Sequence, residues 1–176
     1  GFVGAIYHSG DGYIYVFRGN NTQEFWKYDI DDNAFVGRTD LPNTPGTGSD
    51  LINHQGYLYF TRGNNSTNFY RYDLGAGTWS ALLTAFPANM ADDTKGASAG
   101  AYLYYPRGSS TTAFYRYDPV GNSFTTLAVS PGTLGGGSTV AYPGSGDYLY
   151  VTRGLNTATF YRYSISGNTW DDAGAA

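Results

Sequence analysis

Large apolar side chains in this chain alternate over short runs and stop at clusters of Gly, Asn, Asp and Ser. The run Tyr57-Leu58-Tyr59-Phe60-Thr61-Arg62 has the alternation and the aromatic content of a β-strand. Gln55-Gly56 before it is a tight-turn pair, and Gly63-Asn64-Asn65-Ser66 after it is a turn cluster. Asn68 to Asp73 reads as the next strand, Leu74-Gly75-Ala76-Gly77 turns again, and Thr78 to Leu82 makes another. With Asp50 to His54 as a short first strand, the stretch predicts four antiparallel strands. No helical periodicity competes. On the third strand Phe69 points one way and Tyr70 the other, so both faces of the sheet carry large side chains. A sheet with one wet face would show polar residues at every second position. This one is predicted to lie between two neighbours.

The same pattern recurs four times. Arg18, Arg62, Arg107 and Arg153 each precede a glycine and are spaced 44, 45 and 46 residues apart. Within a unit the steps are constant: 6 residues from Tyr57 to Gly63, 9 to Tyr72 and 7 to Trp79. The variation falls in the connections to the next unit, 22 residues from Phe35, 23 from Trp79 and 24 from Phe124. Phe25, Phe69, Phe114 and Phe160 form one column of third-strand aromatics, and Trp26, Tyr70, Tyr115 and Tyr161 the opposite one. Four-stranded units of about 45 residues match a propeller blade among repeat architectures.

Composition narrows the class. The 176 residues are one domain's worth, 41% are hydrophobic and 18% aromatic, so a core is affordable without disulfides; there is no cysteine. That absence removes thiol catalysis and zinc–thiolate sites. Net charge is −4 with only 14% charged residues, which argues against a nucleic-acid partner, since that needs a concentrated basic face. No run approaches the roughly 18 apolar residues of a membrane span. No basic and apolar leader opens the chain, so any export signal has been removed or lies outside it. Few lysines beside many Tyr, Thr, Ser and Asn lean towards an extracellular or cell-surface protein.

The pattern resembles the kelch-repeat family of β-propellers over the whole chain. Arg-Gly stands at Arg18-Gly19, Arg62-Gly63, Arg107-Gly108 and Arg153-Gly154 where that family has Gly-Gly. Tyr28-Asp29, Tyr72-Asp73 and Tyr117-Asp118 match its Tyr-Asp, and Tyr163-Ser164 departs from it. Trp79 and Trp170 match its tryptophan, with Phe35 and Phe124 as stand-ins. The resemblance implies a binding or scaffold module. The expected fold is an all-β propeller with four kelch-like blades of four antiparallel strands each, a half-ring or part of a larger ring. It forms one domain, 1–176, with blades near 1–44, 45–89, 90–134 and 135–176.

Candidate chemistry mostly dissolves into the repeat. The arginines at 18, 62, 107 and 153, and Lys27, Arg71, Arg116 and Arg162, recur in every unit, which points to stacking on tyrosines and pairing with Asp29, Asp73 and Asp118. Asp29, Asp31, Asn33 and Asp40 have calcium-loop spacing, but Ala34 replaces the required glycine, and the segment coincides with a blade turn. Asn20, Asn64 and Asn65 open N-glycosylation sequons at turn tips. His8 and His54 have no carboxylate or reactive serine beside them in a known catalytic motif, and are expected at strand ends, exposed or hydrogen-bonded. No catalytic, cofactor or metal residue is expected, and no cofactor.

The leading expectation is therefore a non-catalytic structural or protein-interaction module, self-associating or joined to further blades of the same polypeptide. The alternative is a lectin-like propeller. Its sugar contacts would come from Asn43, Asp50, Asn89, Asp92, Asp93 and Ser138, with Phe86 and Tyr142 as aromatic platforms. Bulky tyrosines would wedge badly around a four-blade axis, so a free four-bladed monomer is not expected.

Overall fold

The computed structural model describes residues 2–19, 22–90 and 95–175. Four antiparallel four-stranded sheets follow one another along the chain, each in sequence order. Blade 1 comprises β1 (Phe2–His8), β2 (Tyr13–Arg18), β3 (Phe25–Asp29) and β4 (Ala34–Gly37). Blade 2 comprises β5 (Asp50–His54), β6 (Tyr57–Thr61), β7 (Phe69–Asp73) and β8 (Thr78–Trp79). Blade 3 comprises β9 (Ala97–Ala99), β10 (Tyr102–Pro106), β11 (Phe114–Asp118) and β12 (Ser123–Thr126). Blade 4 comprises β13 (Thr139–Ala141), β14 (Tyr148–Thr152), β15 (Thr159–Ser164) and β16 (Thr169–Ala175). The architecture is a β-propeller. Successive blades meet through their first strands, β1 against β5 and β5 against β9, and at the last junction β13 meets β10. The series is not closed into a ring.

Local chemistry sets the strand ends. Gln55 and Gly56 both have positive φ (48° and 82°), the geometry of the two-residue hairpin between β5 and β6. Strand β8 is shorter than the sequence predicts, because Ser80 interrupts the ladder. Its Oγ accepts the Arg71 N–H that continued pairing would use. Each Asp that ends a third strand accepts two turn N–H groups: Asp29 from Asp31 and Asp32, Asp73 from Gly75 and Ala76, and Asp118 from Val120 and Gly121.

The core consists of three clusters, one between each pair of adjacent blades. Each repeats one motif. A Tyr–Phe pair on the earlier blade stacks (Tyr15–Phe25, Tyr59–Phe69, Tyr104–Phe114), with centroids 5.9, 5.7 and 6.1 Å apart. Its phenylalanine then meets an edge-on tyrosine of the next blade. The centroid distances are 5.1 Å for Phe25–Tyr72, 4.8 Å for Phe69–Tyr117 and 5.1 Å for Phe114–Tyr163. Edge-to-face rings gain from opposed quadrupoles beyond their buried area. The two third-strand columns thus face opposite neighbours, as the alternation predicts.

Candidate functional site

Four features could carry function: the basic columns, the axial cleft, the connecting loops and the two end faces of the blade series. The third-strand cations stack on tyrosines in every blade. Lys27 lies 3.3 Å from the Tyr13 ring centroid, and Arg71, Arg116 and Arg162 lie 4.4, 4.5 and 4.3 Å from those of Tyr57, Tyr102 and Tyr148. Their expected pairing with Asp29, Asp73 and Asp118 is not found, because those carboxylates cap turns instead. The other column also avoids those carboxylates. Arg62, Arg107 and Arg153 each donate through Nε to a backbone carbonyl in the connection leading into their own blade: Thr44, Asn89 and Thr133. Arg18 pairs with Glu24 at 2.7 Å. Both columns are parts of the scaffold.

The first strands of blades 1 and 2 and the residues leading into β9 line a cleft of about 380 Å³, with Ile6, Leu51, Asp50 and Lys95 among its walls. Asp50 accepts the Gly96 N–H at 2.8 Å and lies 3.6 Å from Lys95 Nζ, which itself donates to the Ser49 carbonyl. Burial pushes the Asp50 carboxyl above its ordinary range against the opposing pull of Lys95 and that N–H. These polar groups tie blade 2 to blade 3. Nearby, His54 Nδ1 and Ser98 Oγ are 2.8 Å apart across the same junction, while buried Nε2 has no hydrogen-bond partner among the described residues. His8 ends β1 and sits 3.0 Å from Asp11 within its own hairpin.

The loops offer less than the lectin expectation asks. Phe86 is buried between blades 2 and 3 and cannot serve as a platform. Asn43 donates to Tyr70 Oη, Ser138 is buried and bonded to Gly135 N–H and the Arg153 carbonyl, and Tyr142 donates to the Gly146 carbonyl. Asp92 and Asp93 lie outside the described residues, as does Asn20. Asn64 and Asn65 are exposed at a turn tip with φ of 53° and 52°.

The end faces differ from everything between them. Inside the series, Tyr72, Tyr117 and Tyr163 are closed off by the preceding blade. Their counterpart Tyr28 is half-buried, and Phe35 is 54% exposed. At the other end, Tyr150 and Phe160 stack at 5.8 Å like the interior pairs, yet both remain half-buried where the interior pairs are closed off. The site with the clearest unmet packing is thus split between blades 1 and 4.

Residues 2–111 match a family described as a repeat of unknown function, DUF6923. The chain belongs to this family. No curated protein matches it. The DUF6923 chain also matches a solved structure, that of YjhT, with a TM-score of 0.75 at 14% identity. The alignment covers 98% of this chain and 65% of that one, so the chain spans just under two thirds of its neighbour's length. At that identity the likeness speaks for the fold alone.

Three features of this DUF6923 chain escape the sequence reading. Ser164 departs from the Tyr-Asp pattern, and Asp147 of the preceding hairpin supplies the missing carboxylate, accepting from Ser164 Oγ, Ser166 N–H and Ser166 Oγ. A carboxylate exactly one strand upstream of the odd serine was the available signal, visible once the hairpin register is known. The Asp50–Lys95 and His54–Ser98 contacts join residues 44 to 46 positions apart, and only the stacking of one blade on the next brings them together.

Proposed function

We propose that this chain is a non-catalytic structural or protein-interaction module, carried outside the cell or on its surface, that self-associates through its two end blades. Its blades are read as a kelch variant with Arg-Gly in place of Gly-Gly. One observation carries the proposal: the aromatic residues that each interior junction buries are present, and partly open to solvent, on both end faces. Exposed apolar surface flanked by polar residues marks interaction sites. The basic columns are engaged within their own blades and the axial polar groups tie blade 2 to blade 3, which leaves the end faces as the recognition surface.

Light scattering and sedimentation of the isolated chain over a concentration series test this reading. The expected mass rises above the 19.0 kDa of one chain. A monodisperse monomer whose experimental structure is a closed four-blade ring would overturn it.

A further inference from the structure

One column of the first strands breaks the repeat. Gly4 faces Phe17 across the β1–β2 ladder, Asp50 faces Thr61 across β5–β6, and Thr139 faces Thr152 across β13–β14. Phe17, Thr61 and Thr152 each immediately precede the arginine of an Arg-Gly pair, so the three positions are equivalent. In blade 3 the place falls to Lys95, two residues before Ala97, which faces Tyr104 as Ile52 faces Tyr59. Residues that build a repeat scaffold recur, as the stacked tyrosines and cations do here. This column instead runs Gly, Asp, Lys, Thr, and its first three members line the cleft of about 380 Å³ together.

The interior behind Asp50 departs from the repeat as well. Where blades 2 and 3 have Thr61 and Tyr105, blades 1 and 2 have Phe17 and Phe60, packed edge to face at 5.6 Å. The Thr61 and Tyr105 hydroxyls are buried with no hydrogen-bond partner among the described residues. Burial, and then the nearby Asp50 charge, push the Tyr105 phenol well above its ordinary range. An aromatic contact is thus exchanged for polar groups that the fold leaves unsatisfied. Sequences break their own packing rules in this way at functional sites.

At the cleft itself an acid and an amine stand side by side. Asp50 is buried, with Oδ2 accepting the Gly96 N–H, while Oδ1 lies 3.6 Å from Lys95 Nζ, beyond a direct hydrogen bond. Lys95 donates to the Ser49 carbonyl at 2.6 Å, and an ammonium has three N–H groups, so that bond does not exhaust it. Two neighbouring hydroxyls can bridge the pair, one donating to Oδ1 and the next accepting from Nζ. The two charges cancel, which favours a neutral ligand over an ion. Ile6 and Leu51 supply an apolar wall for its C–H face. The volume falls among small-molecule sites, roughly 300–1,000 Å³.

We propose that this cleft binds a neutral carbohydrate, with two adjacent ring hydroxyls held between Asp50 and Lys95. Of the side chains named for the lectin expectation, Asp50 is the one this site uses. The cleft takes a small molecule, and so goes beyond the self-association reading, which rests on the end faces.

Titration of the isotopically labelled chain with glucose, galactose, mannose and N-acetylglucosamine, followed by amide chemical shifts, tests the site. At least one sugar is expected to move the Leu51, Lys95 and Gly96 amides, with an affinity unchanged by added NaCl because the ligand is uncharged. Asp50→Asn and Lys95→Met should each weaken that sugar about tenfold. The Lys95 side chain is 39% exposed, so Lys95→Met decides the matter where Asp50→Asn does not fold. Asp171→Asn, which removes an exposed carboxylate of blade 4, should leave the affinity unchanged. Silence of these amides with all four sugars at millimolar concentration overturns the proposal. So does undiminished affinity in Lys95→Met, or an amino acid or sugar acid binding there in preference. None of these outcomes bears on the mass series that tests self-association.

Discussion

The junction between blades 2 and 3 and the outer face of blade 1 use equivalent residues at equivalent positions, yet only the first buries its tyrosine fully. Tyr117 is closed off by Phe69, and Asn122 holds two hydrogen bonds; Tyr28 remains half-buried, and Asn33 accepts from Tyr28. The difference teaches where stability resides in such a series. A blade has a wet edge but two dry faces, so most of its apolar burial happens between blades rather than within one. Blade 1 keeps the shape of its Tyr28–Phe35 pair while Phe35 stays 54% exposed.

The largest effect should separate interior from end directly. Phe69 is fully buried, with rings of Tyr59, Phe86, Tyr105, Tyr117 and Phe124 around it. Phe69→Ala should cost about 3–5 kcal/mol, the range for emptying a packed aromatic site. Phe160→Ala, at the equivalent position on the open face, should cost about 1 kcal/mol or less in dilute solution. Urea denaturation of both variants measures the gap. Equal losses would mean that blade 4 is as enclosed as blade 2 and would remove the contrast.

A smaller effect sharpens what each junction uses at its outer rim. Trp79 Nε1 donates to the Thr39 carbonyl at 2.9 Å, and Trp170 Nε1 to the Ala128 carbonyl at 2.8 Å. Phe124 has no such donor, and its junction keeps only the threonine bond, Thr84 Oγ1 to the Asn122 carbonyl at 2.6 Å, whose counterpart beside Trp79 is Thr39 Oγ1 to the Gly77 carbonyl at 3.0 Å. Trp79→Phe and Trp170→Phe should each lose about 1 kcal/mol, the net worth of one hydrogen bond. A loss of several kcal/mol would show that the indole packs the core rather than ties the rim.

Much of this was legible beforehand, and the boundary of legibility is physical. Period, strand alternation and two dry faces all follow from side-chain spacing, so the propeller and its third-strand columns could be read directly. The partners of Arg62 and Asp73 could not. A basic column beside an acidic one suggests ion pairs, but nearby turn N–H groups claim the Asp73 carboxylate, and the Arg62 guanidinium reaches a loop carbonyl. Phe86 looked like a loop aromatic because its connection has no strand periodicity, although the Phe86 N–H bonds the Thr67 carbonyl and pins the ring under blade 2. Asp147 shows the same limit: its role depends on which hairpin lies beside Ser164.

That carboxylate gives a further test within the turn comparison. Its hydrogen bonds to Ser164 and Ser166 hold Asp147 below the ordinary carboxylate range. A depressed carboxylate stabilises the fold above its unfolded value near 3.8, and that contribution is lost as pH falls through the folded one. Asp147→Asn should flatten the acid limb of the stability profile slightly. It should also raise amide exchange around Ser166 while leaving the Asp73 turn of blade 2 unchanged.

The smallest expected effect lies at the axial side of the blade 2–3 junction. His54 is buried against Ser98 Oγ and the Tyr59 ring, and burial lowers its pKa from the ordinary 6.5. The unfolded chain then takes up a proton before the folded one does. Above pH 6.5 the residue contributes no pH dependence; as pH falls below 6.5 the unfolded state is favoured, until the folded value is also passed. Asp50 works in the opposite sense at lower pH: its raised pKa means the folded state binds protons first, so acid relieves a penalty there. The two are separated by comparing wild type with His54→Asn across pH 5 to 8 in urea melts. The variant should lose the decline below pH 6.5 that wild type shows. An identical slope in both would place the titrating group elsewhere and leave the His54–Ser98 contact a purely steric part of the junction.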